Sequence, residues 1–373
     1  MSKKIGILTF SFSTNPGSVL QAYALQETIA DMGDYAPHII NYQKTAAGKP
    51  VMGKTVFCGP LGQWTPKKVF LWIKYLVAYP LRVGKYTKFF NKYYRNYPDE
   101  RCFRDQLPAL ESQYDKFVVG SDQVWNFGSY SVDDTYFLDF VKDDFKKISY
   151  AASFGSAGVP EGMEEKAAQY ISAFSSIAVR ESHGVDIVKE LTDRDATQVL
   201  DPSLLLDGER YESMAIPPKC KGRYVMLYLR EESSRLEAYA HKLADQYGIK
   251  VVKVLKHWKC NRKGKPVHAL SPQEWLGYMG GAQFVVTNSF HGICFSMIFE
   301  KQFFVDFLKS VSVATNPRMQ SVMRLFGLEN RDIDTNADVS VLEPIDYEMV
   351  NAIRAEQKAL SLKYLKNALE KDG

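Results

Sequence analysis

The stretch Phe284–Gly292 joins a short apolar run, Phe284-Val285-Val286, to Thr287-Asn288-Ser289-Phe290-His291-Gly292, and Ile293–Met297 then reads as a helix. The pattern puts an imidazole at the carboxyl end of a buried parallel strand, beside a helix N-terminus, where ligands sit in open α/β sheets. A histidine so placed can carry a proton near neutral pH, or only hydrogen-bond a neighbouring loop. Asn288 and Ser289 flank it as candidate substrate contacts. A second polar string, Gly120-Ser121-Asp122-Gln123-Val124-Trp125-Asn126, follows Phe117–Val119. Gly120 permits a tight exit from a strand. Ser121, Asp122, Gln123 and Asn126 offer donors and acceptors suited to sugar hydroxyls. Asp122 reads either as a base for a hydroxyl nucleophile or as a helix cap with Trp125 in the core. Arg180-Glu181 follows Ile177–Val179, Asp201 follows Val199-Leu200, and Arg230 follows Tyr224–Leu229. A guanidinium there can grip a carboxylate or phosphate in two-pronged fashion, or form a surface ion pair. Asn15-Pro16-Gly17-Ser18 opens a helix whose free N–H groups and positive dipole end favour an anion; a plain helix cap is the alternative.

These residues need elements to hold them, and the chain supplies an alternating series. Strand Ile5–Phe10, helix Gly17–Met32 and strand 38–42 form a βαβ unit, with Ala22, Leu25, Ile29 and Met32 at helical spacing and Gly33 as the stop. Residues 44–114 break the pattern, becoming helical, aromatic and basic from Lys67 to Tyr97, and read as an insertion. Strand-like runs resume at Phe117–Val119, Ile148–Ala152, Ile177–Val179 and Val199-Leu200. A second series follows at Tyr224–Leu229, Val251–Leu255, Phe284–Thr287 and Phe303–Phe307. The expected fold is α/β: two Rossmann-like, doubly wound domains facing a cleft, at 1–214 and 215–335. The tail, 336–373, carries an amphipathic helix from Asp346 to Lys371 with Val350, Ile353, Leu360, Leu362, Leu365 and Leu369 as anchors, expected to pack back on the first domain.

Composition narrows the classes. The chain has 373 residues, 46% apolar and 24% charged, with a net charge of +4 that is too small to argue for nucleic acid. Five scattered cysteines without a C-x-x-C read as reduced thiols of a cytoplasmic protein. Val69–Leu81 is interrupted by Lys74 and Pro80 and is too short to span a bilayer. Its basic flanks would let it lie on the inner face of an anionic membrane, and packing on its own domain is the favoured reading. Gly48–Thr55 fits G-x-x-x-x-G-K-[ST], yet no strand leads directly into it and Gly59, Pro60, Gly62 and Pro66 forbid a helix soon after. Asp193-Arg194-Asp195 and Asp332-Ile333-Asp334 read as solvated loops. His257-x-x-Cys260 and His291-x-x-Cys294 lack further zinc ligands, so no metal is expected. Cys294 should point along a core rather than serve as a nucleophile.

In order along the chain, Asn15–Gln26, Tyr114–Asn126, Ile148–Gly155, Val179–Glu181, Leu200–Ser203 and Thr287–Gly292 together resemble the polysaccharide pyruvyl transferase family. Asn316-Pro317-Arg318 and Leu325–Leu328 resemble a later segment, and the similarity spans about residues 3–331. The resemblance implies a glycosyltransferase B-type architecture and transfer of a pyruvyl group from phosphoenolpyruvate to a saccharide or lipid-linked oligosaccharide as a cyclic ketal, with no further cofactor. Some members carry an arginine two places before the motif histidine. Here that place is Ser289, which throws the anion grip on Arg180, Arg230 or Arg318. In this reading His291 donates a proton to the enol carbon, Arg180 holds the donor, and Asp122 or Glu181 accepts a hydroxyl proton. Other readings are a nucleotide-sugar glycosyltransferase of the same architecture and a non-catalytic saccharide-binding protein.

Overall fold

A computed structural model describes residues 2–43, 66–97, 101–127, 133–155, 158–255, 267, 269–306 and 316–371. The strings Gly48–Thr55 and His257–Cys260 lie outside the described residues. In chain order the elements of the first half are β1 (Lys3–Leu8), α1 (Pro16–Asp31), β2 (Tyr35–Ile39), α2 (Pro66–Tyr93), β3 (Lys116–Val119), β4 (Lys147–Ser149), α3 (Glu164–Ser172), β5 (Ala178–Val179), α4 (Ser182–Thr192), β6 (Thr197–Gln198) and α5 (Gly208–Glu212). The second half holds β7 (Tyr224–Leu229), α6 (Ser234–Tyr247), β8 (Lys250–Leu255), α7 (Pro272–Gly280), β9 (Phe284–Thr287), α8 (Phe290–Ile298), β10 (Gln302–Val305), α9 (Asn316–Leu325) and α10 (Tyr347–Glu370).

The strands form two parallel sheets. The first has the order β2-β1-β3-β4, and single bridges at Ile148–Ser176 and Ala152–Val179 carry it on to the β5-β6 pair. The second has the order β10-β9-β7-β8. Every residue of β3, β7 and β9 is buried, as expected of strands covered on both faces by helices. Two Rossmann-like lobes result, each with a point where the strand order reverses: between β1 and β3 in the first, between β7 and β9 in the second. In such sheets the crevice at that point, at the carboxyl ends of the strands, is where ligands bind.

Strand edges depart from the sequence reading by a few residues. β1 stops at Leu8 rather than Phe10, and β2 begins at Tyr35 rather than His38. β2 accommodates Pro37 because it is an edge strand, paired on one side to β1 alone. β4 ends at Ser149 because Ala151 turns to φ 55°, beyond which only Ala152 still bridges.

Two helices tie the lobes together. The carboxyl half of α2 lies on the first lobe, with Tyr86, Phe89 and Phe90 buried. From it Arg82 donates to the carbonyl of Thr14, and Lys85 reaches Glu274 of α7 at 2.6 Å. After α2, the Tyr94 hydroxyl bonds the carbonyls of Ser11 and Val19, both at 3.2 Å. The β1–α1 loop is therefore braced from behind. α10 starts on the second lobe, where the Tyr347 hydroxyl donates to the carbonyl of Ser296 at 3.2 Å. It finishes on the first, where the Tyr364 hydroxyl donates to the carbonyl of Ser149 at 2.9 Å. Of its expected anchors, Val350, Leu365 and Leu369 are buried, whereas Leu360 is exposed and Ser361 and Ala368 take buried places. Ser361 can do so because its hydroxyl accepts from the Leu200 N–H at 3.0 Å. Among the described residues, no helix is long and apolar enough to cross a membrane.

The connection between the lobes runs over α7. The Ile216 N–H donates to the carbonyl of Gln273 at 2.9 Å, and a Cβ built on Gly277 would overlap the carbonyl of Ile216. Both sides of that contact are backbone. Gly277→Ala should therefore destabilise the fold by about 1–3 kcal/mol, as over-packing does. Scanning calorimetry should show a lower unfolding midpoint, and an unchanged midpoint would mean that the linker does not ride on α7.

Candidate functional site

The two reversal points face each other, and their first contact is between a glycine and an imidazole. α1 opens with Pro16 in its first turn, a residue whose fixed φ and missing N–H suit that position. α8 opens behind Ser289, whose hydroxyl accepts from the Gly292 N–H at 3.3 Å, so His291 lies in the first turn of the helix rather than in the loop before it. A Cβ built on Gly17 would fall 2.6 Å from the Cβ and from the Nδ1 of His291. Only glycine lets the two helix N-termini approach this closely.

Beneath that contact lies a sealed layer of charge. Arg180 leaves β5 with 2% of its side chain exposed, between two carboxylates that are fully buried. Its Nε donates to Glu181 Oε1 at 3.0 Å, and its Nη1 donates to Asp201 Oδ2 at 3.2 Å and to the Ser121 hydroxyl at 3.1 Å. The Ser121 hydroxyl donates to Asp201 Oδ2 at 2.7 Å, and Ser153 donates to Glu181 Oε1 at 2.6 Å. The Ser203 N–H and hydroxyl donate to Asp201 Oδ1 at 3.0 and 2.6 Å. From the second lobe, the Phe290 ring covers the Arg180 guanidinium at 4.0 Å, a cation–π contact across the domain boundary. Burial opposes the charge on Arg180, but Glu181 and Asp201 outweigh it and raise the pKa of the guanidinium.

Asp122 stands closer to the lobe boundary. Its backbone has φ 82°, a region few side chains other than Asn and Asp tolerate. No helix follows it, so it is not a helix cap; its Oδ1 accepts from the Gln123 N–H at 2.9 Å. The Ser18 hydroxyl from α1 donates to its Oδ2 at 2.5 Å. Burial would raise its pKa, yet the charges of His291 and Arg180 and the Ser18 hydrogen bond hold it down to about 2. The pKa of His291 is lowered too, which for a histidine favours the neutral form: burial pushes it below the ordinary value, and Asp201 and Asp122 offset this only in part. Its Nε2 is sealed from solvent without a hydrogen-bond partner, 3.8 Å from Asp201 Oδ2.

The third group is cationic. Arg318, in the first turn of α9, is 3% exposed and faces no carboxylate within ion-pair distance among the described residues. The Gln123 amide, turned so that its oxygen faces the guanidinium, is its partner. Burial, then the neighbouring charge of Arg180, lowers the Arg318 pKa to about 9. That is the signature of a buried cation still short of an anion. α9 is anchored by Ser321, whose hydroxyl accepts from the Ser182 N–H of α4 at 3.1 Å. Arg230 is exposed, and its N–H donates to Asn288 Oδ1 at 2.8 Å. The Asn288 Nδ2 donates to the Glu231 carbonyl at 2.9 Å, so this side chain ties the β7 and β9 loops together.

The structure thus gathers His291, Asp122, Arg180, Glu181, Asp201, Ser121, Ser18, Gly17, Gln123 and Arg318 into one connected cluster. It gives several of them positions the sequence did not indicate. Arg180 already pairs with Glu181 and Asp201, while its Nη2 is buried without a hydrogen-bond partner. Glu181 and Asp201 are the fully buried members of the cluster. Asn15 stands at the N-cap of α1 without a side-chain cap bond. Asn126 packs against Gly155, where a Cβ would meet its amide carbon at 2.8 Å. Ser153, Ser203, Ser321 and Phe290 were not among the candidate site residues, although all but Ser321 lie in the strings the sequence singles out. Ser153 and Ser203 do sit just after strand-like runs, the one signal that could have found them. Trp125 stacks on Phe137 in the core at 5.5 Å. Cys294 is buried in the core, and burial raises its thiol pKa well above the usual value, which suits a packed side chain rather than a nucleophile. Among the described residues, no group of three His, Cys, Asp or Glu could hold a metal ion.

Because Asp122 titrates near 2 in the folded chain and near 3.8 otherwise, it adds stability that is complete above about pH 4 and lost as pH falls toward 2. A shift of that size corresponds to about 2 kcal/mol. Asp122→Asn, which keeps the backbone conformation and an acceptor for Ser18, should melt lower than the wild-type protein at pH 6. The gap should close between pH 4 and 2.5 in thermal melts; a pH-independent gap would contradict this account.

The family model described as polysaccharide pyruvyl transferase matches residues 15–305. A comparison with curated proteins found no match. Solved structures of similar fold include the UDP-GlcNAc 2-epimerase from Methanocaldococcus jannaschii, at 11% identity and TM-score 0.44, covering 100% of this chain and 94% of that one. The UDP-GlcNAc 2-epimerase from Neisseria meningitidis bound to UDP-GlcNAc has 10% identity and TM-score 0.43, covering 98% and 100%. An alpha-glucosyltransferase in complex with UDP and a 13-mer DNA has 9% identity and TM-score 0.48, covering 98% and 95%.

Proposed function

Because the chain belongs to the polysaccharide pyruvyl transferase family, we propose that it transfers the pyruvyl group of phosphoenolpyruvate to two hydroxyls of a saccharide, forming a cyclic ketal and releasing phosphate. The observation that carries this reading is a buried, carboxylate-free Arg318 beside a buried histidine and an ionised aspartate. Phosphoenolpyruvate brings a carboxylate and a phosphate. With Arg180 committed to its own carboxylates, the grip on those groups falls to Arg318, with Arg230 at the rim and the N-termini of α1, α8 and α9 adding their positive dipole ends.

His291 is the proton carrier. Burial lowers its pKa and so favours the neutral imidazole, with Asp201 and Asp122 opposing this in part. A multiply charged anion at Arg318 raises its pKa, and the ring takes up a proton as the donor binds. That proton passes to the methylene carbon of the donor, making a methyl group, while a saccharide hydroxyl attacks the neighbouring carbon and gives its own proton to the imidazole left neutral. The carbon–oxygen bond to phosphate then breaks, and a second hydroxyl adds to the same carbon, its proton leaving with the phosphate. From sequence, Asp122 reads as a base or a helix cap, with Glu181 as the other candidate acceptor. A carboxylate held near 2 is a weak one, so its role is to stabilise the imidazolium and the positive charge that develops on the carbon under attack.

The decisive assay mixes the protein with phosphoenolpyruvate and candidate lipid-linked oligosaccharides and looks by mass spectrometry for ketal addition with phosphate release. Binding and turnover of nucleotide sugars, without either product, would overturn the reading. His291→Gln should lower phosphate release by ~10²–10⁴-fold with little change in donor affinity. Arg318→Met should raise the donor KM more than it lowers kcat. Calorimetry at pH 7 in buffers of different ionisation enthalpy should detect proton uptake on phosphoenolpyruvate binding, absent from His291→Gln.

A further inference from the structure

We propose that Asp201 is the positioning residue for His291, holding the Nε2–H edge of the ring so that Nδ1 is the nitrogen that exchanges protons with the ligand. This deepens the reading above, in which His291 is the proton carrier, and it rests first on geometry. The Asp201 side chain is fully buried, so it cannot touch a substrate. It cannot rotate either. Oδ1 is held by the N–H and hydroxyl of Ser203, and Oδ2 by Ser121 and Arg180. Oδ2 lies 3.8 Å from His291 Nε2, which is itself sealed and has no hydrogen-bond partner. At that distance the two are in charge contact rather than hydrogen-bonded, and catalytic contacts of this kind commonly tighten to hydrogen bonds when substrate binds. The opposite edge of the ring, with Nδ1, lies against Gly17 at the opening turn of α1. The imidazole side chain keeps 9% exposure, and with Nε2 sealed that exposure belongs to the rest of the ring.

The electrostatic surroundings agree. Four charged groups face the ring: Asp122 from the end of β3, Asp201 after β6, Arg180 from the end of β5 and Arg318 from α9. The two carboxylates favour the imidazolium and the two guanidinium groups oppose it. Removing Asp201 leaves two cations against one anion and takes away the acceptor that selects the tautomer. A carboxylate behind a catalytic imidazole works in this way: it fixes which nitrogen carries the proton and supports the charged ring.

The test needs no substrate. In uniformly 15N-labelled protein, long-range 1H–15N correlation of the histidine rings across pH identifies His291 by the signal lost in His291→Gln. The expected result is a neutral ring protonated at Nε2 that titrates at Nδ1. Asp201→Asn should lower the midpoint of that titration and reduce the Nε2-protonated population. Ser121→Ala, which removes one donor from the same carboxylate oxygen, should move the midpoint upward. This second variant guards against misfolding of the first, where an amide must face donors on both sides. A wild-type ring protonated at Nδ1, or a midpoint that stays fixed in both variants, would overturn the proposal. If the tautomer is as expected but phosphoenolpyruvate added to the same samples leaves the His291 signal unmoved, the donor assignment fails and the role of Asp201 stands.

Discussion

A guanidinium closed off from water cannot be left without partners, and Arg180 has the most demanding place in this protein. Two carboxylates, a serine hydroxyl and an aromatic face surround it. Such a cluster adds little net stability over a well-packed apolar alternative, but removing one member leaves a buried charge uncompensated, at roughly 3–5 kcal/mol. Its effect is to specify arrangement. Arg180 and Glu181 follow β5, Asp201 follows β6, Ser121 follows β3 and Ser153 follows β4. These strand ends must stay in register for the charges to balance. Phe290 extends the constraint to the second lobe, because it covers Arg180 only when α8 lies against α1.

The same register determines what lies above the cluster. With α8 against α1, His291 meets Gly17; with α9 against α4 through Ser321 and Ser182, Arg318 reaches Gln123. Helices α1, α4, α8 and α9 all begin at this boundary and bring their positive ends toward one place. The two buried carboxylates that hold Arg180 offset its charge, whereas the buried Arg318 has the Gln123 amide as partner and no carboxylate within ion-pair distance among the described residues. The straps formed by α2 and α10 keep the lobes in that relation: one braces the β1–α1 loop, the other runs from the second lobe back to the first.

Much of the framework was legible in the chain. β7 and β9 coincide with the runs Tyr224–Leu229 and Phe284–Thr287, because a strand buried on both faces must be apolar throughout and is bounded by polar residues. α1 was legible to within a residue, since its spacing and the stop at Gly33 are both local signals; Gly33 has φ 90°. Edges were less legible. β2 starts before Pro37 because an edge strand lacks a partner on one side, and that depends on sheet order. In α10, Leu360 points outward while Ser361 is buried, because a hydrogen bond from Leu200 was available to it. No local pattern announces a partner some 160 positions away.

The site divides in the same way. The types and order of His291, Asp122, Arg180 and Arg318, each at a strand end or a helix start, follow from the sequence by itself, because strand-to-turn transitions and helix openings are written in neighbouring residues. Their roles do not follow from it. Whether an arginine is spent on a carboxylate or left open to a ligand depends on which strand ends meet. The pKa of a histidine depends on how deeply two lobes bury it. Tertiary structure made Arg180 a clamp, buried Arg318 against the Gln123 amide without a carboxylate in ion-pair reach among the described residues, and set Asp201 behind His291, since each outcome depends on distances between segments tens to more than a hundred residues apart.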